Sequence, residues 1–292
     1  MHRLVALLAA IPLVADAARA AAQPSRQNLS TPVVSAESLS VKAEVTRSAF
    51  TRNDMYLTGA FALGTLATAA LDAKWGGRLQ APKVQALGVL RAGSKGANIL
   101  GSPGAIVVSS ALYAGGRLLK HRGLADAGLH ATEAVVLSGL VTTALKGVTG
   151  RARPNTPNDD PSEPGPDADR FRFGRGFRAE GYTSFPSGHT TVAFAAAAAF
   201  TRELSETHPR AAWIVGPLLY GGATAVGLSR MYDNKHWASD VVAGAAVGTL
   251  VGRTLVAYQH KHRGNLLDRL LLPNAVESNA TGVSLCWSLP VR

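Results

Sequence analysis

Residues 185–201 read Phe185-Pro186-Ser187-Gly188-His189-Thr190-Thr191-Val192-Ala193-Phe194-Ala195-Ala196-Ala197-Ala198-Ala199-Phe200-Thr201, and this stretch decides the fold. Its second half is Ala-rich and lacks the period-two alternation of a half-buried strand, so it predicts a helix. Pro186, Ser187 and Gly188 stand where that helix begins, a position that suits a turn and cap. The same texture recurs at about 55–71, 84–90, 97–116, 127–145, 211–228 and 239–258, each run bounded by basic or Gly/Pro-containing segments. The expected fold is therefore all-α, a bundle of about six or seven helices.

Three places break the pattern. Residues 151–184 hold Pro154, Pro157, Pro161, Pro164 and Pro166 among several Asp and Gly residues, which predicts a long irregular loop of the kind that carries function. Near the C-terminus Val283, Leu285, Trp287 and Leu289 alternate with Ser284, Cys286 and Ser288, a strand pattern. Leu39, Val41, Ala43 and Val45 alternate in the same way, and the two segments are expected to pair as a small ribbon at the bundle edge.

The N-terminus carries Arg3, an apolar run from Leu4 to Val14, and small-residue sites at Ala18-Arg19-Ala20 and Ala20-Ala21-Ala22. That is the pattern of a secretory signal peptide, and the run is shorter than the roughly 20 residues of a spanning helix. The expected organisation is a signal peptide at 1–22, a leader at 23–50, a helical domain at 51–262 and a C-terminal extension at 263–292, in an exported, periplasmic protein. The lone Cys286 excludes an intramolecular disulfide and reads as a small hydrophobe.

A net charge of +11 and a pI near 10.2 imply anionic company. Nucleic acid is disfavoured, because the basic residues are scattered and only 6% of residues are aromatic. Segments 97–116 and 211–228 have the length to span a bilayer. The mean hydropathy of +0.10 and the interruption of the run from Thr190 by Arg202 and Glu203 favour a soluble or peripheral protein, associated at most with a membrane surface.

Chemistry is concentrated in three clusters. Lys146 is followed after six residues by Arg153-Pro154; Pro186-Ser187-Gly188-His189 opens the Ala-rich helix; Ser229-Arg230 is followed after five residues by His236 and after three more by Asp240. Lys146, Arg153 and Arg230 are cations near helix ends, suited to a tetrahedral oxyanion. At the start of the Ala-rich helix, backbone N–H groups attract anions, Gly188 permits close approach and Ser187 offers a hydroxyl. If the following helix has begun by His236, Asp240 lies on the same face, fixes the imidazole tautomer and leaves the other nitrogen as a nucleophile. His189 is then the general acid for a leaving alcohol. His130, alone on its helix, reads as structural, and no Cys/His cluster or carboxylate cage for a metal stands out in the sequence.

In this order and spacing the clusters resemble the signature of the type 2 phosphatidic acid phosphatase family, whose superfamily includes bacterial acid phosphatases and vanadium haloperoxidases. Every motif position is present without substitution. The resemblance covers about residues 55–258 and draws its specificity from 146–240. It implies an all-helical core and a phosphatase that needs no metal or other cofactor. His236 would form a phosphohistidine, Asp240 would orient it, and His189 would act as acid and then base. Lys146, Arg153, Ser187, Gly188 and Arg230 would hold the phosphoryl oxygens. Substrates would be lipid phosphates or small phosphomonoesters. Competing readings are a haloperoxidase holding vanadate on His236 and a non-catalytic envelope protein that binds anionic lipid. The run Arg170-Phe171-Arg172-Phe173-Gly174-Arg175-Gly176-Phe177-Arg178 interleaves cations with aromatics, as a lid over an anionic or amphiphilic substrate would.

Overall fold

The structure is a computed structural model, and it describes residues 51–157, 167–261, 275–279 and 282–286. The expected signal peptide and leader, including the alternating segment 39–46, lie outside the described residues.

Among these residues the chain forms nine α-helices: α1 (Arg52–Ala69), α2 (Asp72–Leu79), α3 (Pro82–Gln85), α4 (Gly88–Gly101), α5 (Gly104–Leu118), α6 (Arg122–Thr149), α7 (Gly188–Thr207), α8 (Pro209–Tyr232) and α9 (Ala238–Lys261). The all-α expectation holds. The count exceeds six or seven because short helices α2 and α3 occupy a stretch with little apolar periodicity. Residues 151–157 and 167–184 are irregular apart from two short 3₁₀ turns, Arg175–Phe177 and Glu180–Tyr182. The C-terminal strand pattern is realised in part: β2 (Gly282–Cys286) pairs antiparallel with its hairpin neighbour β1 (Ala275–Asn279), while segment 39–46, its expected partner, lies outside the described residues. Two residues separate the strands, and so short a connection makes local pairing the cheaper choice.

Helix α7, the quoted stretch, is the centre of the bundle. Ala195 and Ala199 pack with Ala131 and Ala134 of α6 and Val256 of α9. Ala193 and Ala197 pack with Ala223 and Val226 of α8. The α7–α9 contact is close because α9 carries a glycine at every fourth position. A Cβ at Gly244 would come within 2.6 Å of the Ser187 carbonyl oxygen and one at Gly252 within 2.5 Å of the Ala195 carbonyl oxygen, while one at Gly248 would overlap the Thr191 carbonyl. Small residues at i, i+4 and i+8 let two helix backbones meet, and here they fix the spacing between the first turns of α7 and α9.

Large apolar side chains face outward instead. Leu137 and Leu140 on α6, Trp213, Ile214, Leu218 and Leu228 on α8, and Leu63 and Leu66 on α1 are exposed, Trp213 at 83%. Helices α6, α8 and α9 are each long and apolar enough to cross a membrane, and α4 with α5, bent by 49° at their junction, would make a fourth span. This counts against the soluble or peripheral expectation and favours a membrane protein. A mean hydropathy near zero averages over polar loops and Ala-rich interiors, and so hides an apolar exterior confined to particular helix faces.

Gly248→Ala is expected to lower the unfolding temperature, by an amount corresponding to about 1–3 kcal/mol of overpacking. Gly59→Ala, on an open face of α1 with nothing within 4 Å of the added carbon, is expected to be neutral or slightly stabilising. Thermal unfolding in detergent compares the two.

Candidate active site

The three sequence clusters meet at one end of the bundle, where α6 ends and α7 and α9 begin. Helix α6 stops at Gly150, whose left-handed backbone (φ 55°) returns an N–H bond to the Lys146 carbonyl. The chain then enters the irregular segment, pinned beneath the bundle by Arg151.

Arg151 is 3% exposed and spends its guanidinium fully. Nη1 donates to Asp240 Oδ1 and to Ser239 Oγ, each at 2.7 Å. Nη2 donates to Asp72 Oδ2 at 2.8 Å and to the Ala168 carbonyl at 2.7 Å, and Nε donates to the same carbonyl at 3.0 Å. Asp72, from α2, also accepts from the Ser239 N–H at 2.9 Å and the Ser239 hydroxyl at 2.5 Å. Buried charge is tolerable only when paired and hydrogen-bonded, and each of these groups is.

Asp240 is wholly buried, and its second oxygen accepts from the Ser184 hydroxyl at 2.5 Å and the Trp237 N–H at 2.8 Å. His236 precedes α9 instead of lying on it, which corrects the expected one-face arrangement. Its Nδ1 donates to the Ser184 carbonyl at 2.7 Å, with Asp240 Oδ2 farther off at 3.7 Å. A carbonyl can only accept, so Nδ1 carries the proton and Nε2 keeps its lone pair. Orientation therefore comes from Ser184, and Asp240 acts as a nearby negative charge. Burial pushes the His236 imidazole down to about 4, the Lys146 and Arg153 cations push the same way, and Asp240 opposes them.

The cations converge through one loop residue. Lys146 Nζ donates to the Thr183 carbonyl at 2.5 Å, and Arg153 Nη2 donates to the Thr183 hydroxyl at 2.9 Å. Burial lowers the Arg153 pKa. Arg230 is held from α4, where Asn98 Oδ1 accepts from its Nη1 at 2.6 Å; Asn98 in turn donates to Asp233 at 2.5 Å. The Nε atoms of Arg153 and Arg230 are buried with no protein partner, as donors reserved for an oxyanion would be.

At the head of α7, Ser187 gives its N–H to the Asp240 carbonyl at 2.9 Å. That N–H is not open to an anion as the sequence suggested; the next ones, of Gly188 and His189, have no backbone acceptor among the described residues. The Ser187 hydroxyl accepts from Thr190 at 2.9 Å, so its own proton remains to be donated. Gly188 faces Lys146, whose Cε would lie 3.5 Å from an added Cβ. His189 is half-buried against Gly101 of α4. Burial pushes its imidazole down to about 4, with the Arg230, Lys146 and Arg153 cations adding to the effect. All eight residues singled out in the sequence thus lie around one end of α7. The interleaved loop is partly pinned: Phe177 fills the space over Gly147, and Arg175 lies 4.7 Å over the Tyr182 ring, while Phe173 is 81% exposed.

Asp72, Asn98, Arg151, Thr183 and Ser184 escaped the sequence reading. Arg151 and Ser184 adjoin motif residues and were open to suspicion on that ground. Asp72 lies between the predicted runs, and Asn98 is a single polar residue within the run 97–116, so neither was marked by a motif.

One end of this helical bundle thus gathers three cations, two histidines and a helix N-terminus, groups chemically suited to an oxyanion such as phosphate. Residues 127–263 match the PAP2 superfamily model. It is 46% identical over 89 residues to a lipid A 1-phosphatase of Porphyromonas gingivalis, covering 29% of this chain and 18% of the relative. It is 37% identical over 135 residues to lipid phosphate phosphatase 1 of Arabidopsis thaliana, covering 40% of each. A lipid A 1-phosphatase of Rhizobium johnstonii is 36% identical over 114 residues, 39% of this chain and 40% of that one. The chain thus spans two fifths or less of the length of these relatives. Among solved structures, a transmembrane PAP2 type phosphatidylglycerolphosphate phosphatase from Bacillus subtilis aligns with 72% of this chain and 99% of its own, at 21% identity and a TM-score of 0.38.

Arg151→Ala would strand two buried carboxylates, and a loss of about 3–5 kcal/mol in unfolding free energy is expected, read by thermal or denaturant unfolding. A second expectation follows from His189. At pH 5 its ring is mainly neutral in the free protein, because burial, with the three cations adding to it, disfavours the imidazolium. A bound dianion reverses that sign and raises the pKa, so binding should take up a proton. Calorimetry of sulfate binding at pH 5 in buffers of different ionisation enthalpy measures the uptake, and sulfate itself does not titrate there. His189→Gln should abolish it.

Proposed function

We propose that this chain is a membrane-spanning phosphatase that hydrolyses the phosphate monoesters of lipids through a phosphohistidine, without a metal ion in the reaction. The observation that carries the reading is the Nδ1–H of His236 committed to the Ser184 carbonyl, which leaves Nε2 as a directed lone pair beside Lys146, Arg153 and Arg230. The similarity to relatives named for lipid A and lipid phosphates, together with the apolar exterior and the spanning-length helices, supports a lipid substrate.

In the first step the Nε2 lone pair attacks phosphorus and the bond from phosphorus to the ester oxygen breaks. His189, protonated once the phosphate dianion is bound, gives its proton to the departing alkoxide. The phosphohistidine carries positive charge on the ring, which Asp240 offsets from 3.7 Å. In the second step His189 takes a proton from water, the hydroxide attacks phosphorus, and the nitrogen–phosphorus bond breaks to return His236 and release inorganic phosphate. The unpartnered guanidinium Nε atoms, Lys146, the Ser187 hydroxyl and the first N–H groups of α7 meet the equatorial oxygens as charge shifts in the transition state. The signal peptide and export remain part of the proposal, with the site on the periplasmic face.

Phosphate release from phosphatidic acid and from p-nitrophenyl phosphate, in detergent and with EDTA present, is expected for the wild type. His236→Ala should lose at least about 10³-fold of that rate, and acid-quenched wild type should retain labelled phosphate on the protein. Turnover that needed added metal would count against the mechanism. Peroxide-dependent halide oxidation after vanadate loading, in place of hydrolysis, would turn the reading towards a haloperoxidase.

A further inference from the structure

At the end of the bundle opposite the phosphate-binding groups, three helices direct metal-capable side chains to one point. His130 comes from the third turn of α6, Glu203 from the last turns of α7 and His260 from the last turn of α9. Nδ1 of His130 and Nε2 of His260 both lie against Oε1 of Glu203, the second at 3.0 Å and the first closer. The three ligand atoms fall within 4.8 Å of one another. Fourteen residues of α7 separate Glu203 from His189, about 21 Å at 1.5 Å per residue, so this cluster takes no part in the chemistry described above.

The three groups are satisfied chiefly by one another, both imidazoles meeting the one carboxylate oxygen. His130 and Glu203 are buried, at 8% and 6% exposure. One turn away lie Ala131, Ala134, Ala195, Ala199 and Val256, an apolar cluster with no donor side chain for a carboxylate. A buried carboxylate in such a place needs a cation or several good donors. The cluster also has an ordered outer layer. Gln259, buried beside His260, donates to Glu133 Oε2 at 2.7 Å, one turn from His130, and Thr207 donates to the Glu203 carbonyl at 3.0 Å. Bonds of that kind fix the backbones from which ligands project. His260 has a side-chain exposure of 23%, so an ion can reach the cluster from the rim.

We propose that His130, Glu203 and His260 form a binding site for a divalent transition ion, zinc by its donor set. Two neutral imidazoles and one carboxylate are a three-ligand set that zinc accepts, with water completing the shell. The ion staples α6, α7 and α9 together at the end remote from the active site, in a structural role. The proposal goes beyond the sequence reading, in which His130 stood alone and no ligand cluster stood out. The ligands are 57 and 73 residues apart, and only helix packing unites them.

The test uses the full chain in detergent, stripped of metal and loaded with Co2+ as a spectroscopic substitute. One ion per chain should survive gel filtration, with the intense visible absorption of a four-coordinate site. Glu203→Gln and His260→Ala should each weaken binding at least about tenfold, while His236→Ala keeps the absorption. Zinc alone should raise the Tm of the wild type and not that of Glu203→Gln. The pale spectrum of hydrated cobalt, no retained ion, or undiminished binding in Glu203→Gln would overturn the proposal and leave a hydrogen-bonded cluster only. The readouts are metal content, absorption and Tm, so their failure is distinct from any failure of the phosphatase reading.

Discussion

The buried guanidinium of Arg151 is the interaction on which the rest of the site depends. It joins Asp72 of α2, Asp240 of α9 and the Ala168 carbonyl of the irregular segment, three parts of the chain far apart in sequence. Its pairing keeps Asp240 ionised in the interior, and Asp240 in turn anchors Ser184, the Trp237 N–H and, through its backbone carbonyl, Ser187. Ser184 then aims His236. Two jobs that a single carboxylate often performs for a histidine, aiming the ring and offsetting its charge, are divided between a carbonyl and a carboxylate. A neutral acceptor does the aiming, so the orientation does not depend on the ionisation of Asp240.

Packing follows an inside-out rule that suits a lipid surround. Alanine and glycine fill the contacts between helices, where backbone proximity and dispersion hold the bundle. Leucine, isoleucine and tryptophan are turned outward, where in water they would be a liability. The phosphoryl-binding groups lie at the helix ends, where such an apolar band gives way to polar loops. For the lipid substrate proposed above, a charged headgroup would meet the cations there while its apolar part stays beside the exterior of the helices.

Much of this was legible in the sequence, because catalytic groups sit at helix ends where cap chemistry and residue spacing are local. The Ala-rich stretch announced α7, and the spacing from Lys146 to Arg153 and from His236 to Asp240 announced the site. What stayed hidden depends on contacts across the chain. Asp72 and Asn98 serve the site from helices that share no pattern with it. The Ser184 carbonyl is a backbone atom that any residue type would supply, so no side chain could flag it. The strand pattern is realised over 282–286, and its hairpin with 275–279 was not announced, since alternation specifies a face and not a neighbour. The soluble expectation rested on an averaged hydropathy, which cannot say which faces the apolar residues occupy.

Helix α7 carries His189 at one end and Glu203 near the other, with the glycines of α9 seated against its flank. As a rod of twenty residues it is about 30 Å long, and a tilt of about two degrees about one end displaces the other by about 1 Å. Displacements of that size are enough to spoil a proton transfer or an in-line attack. For the mechanism proposed above, the angle at which two helices cross is therefore a tolerance on the chemistry. It is set by the absence of side chains at Gly244, Gly248 and Gly252, three residues with no part in the proposed steps.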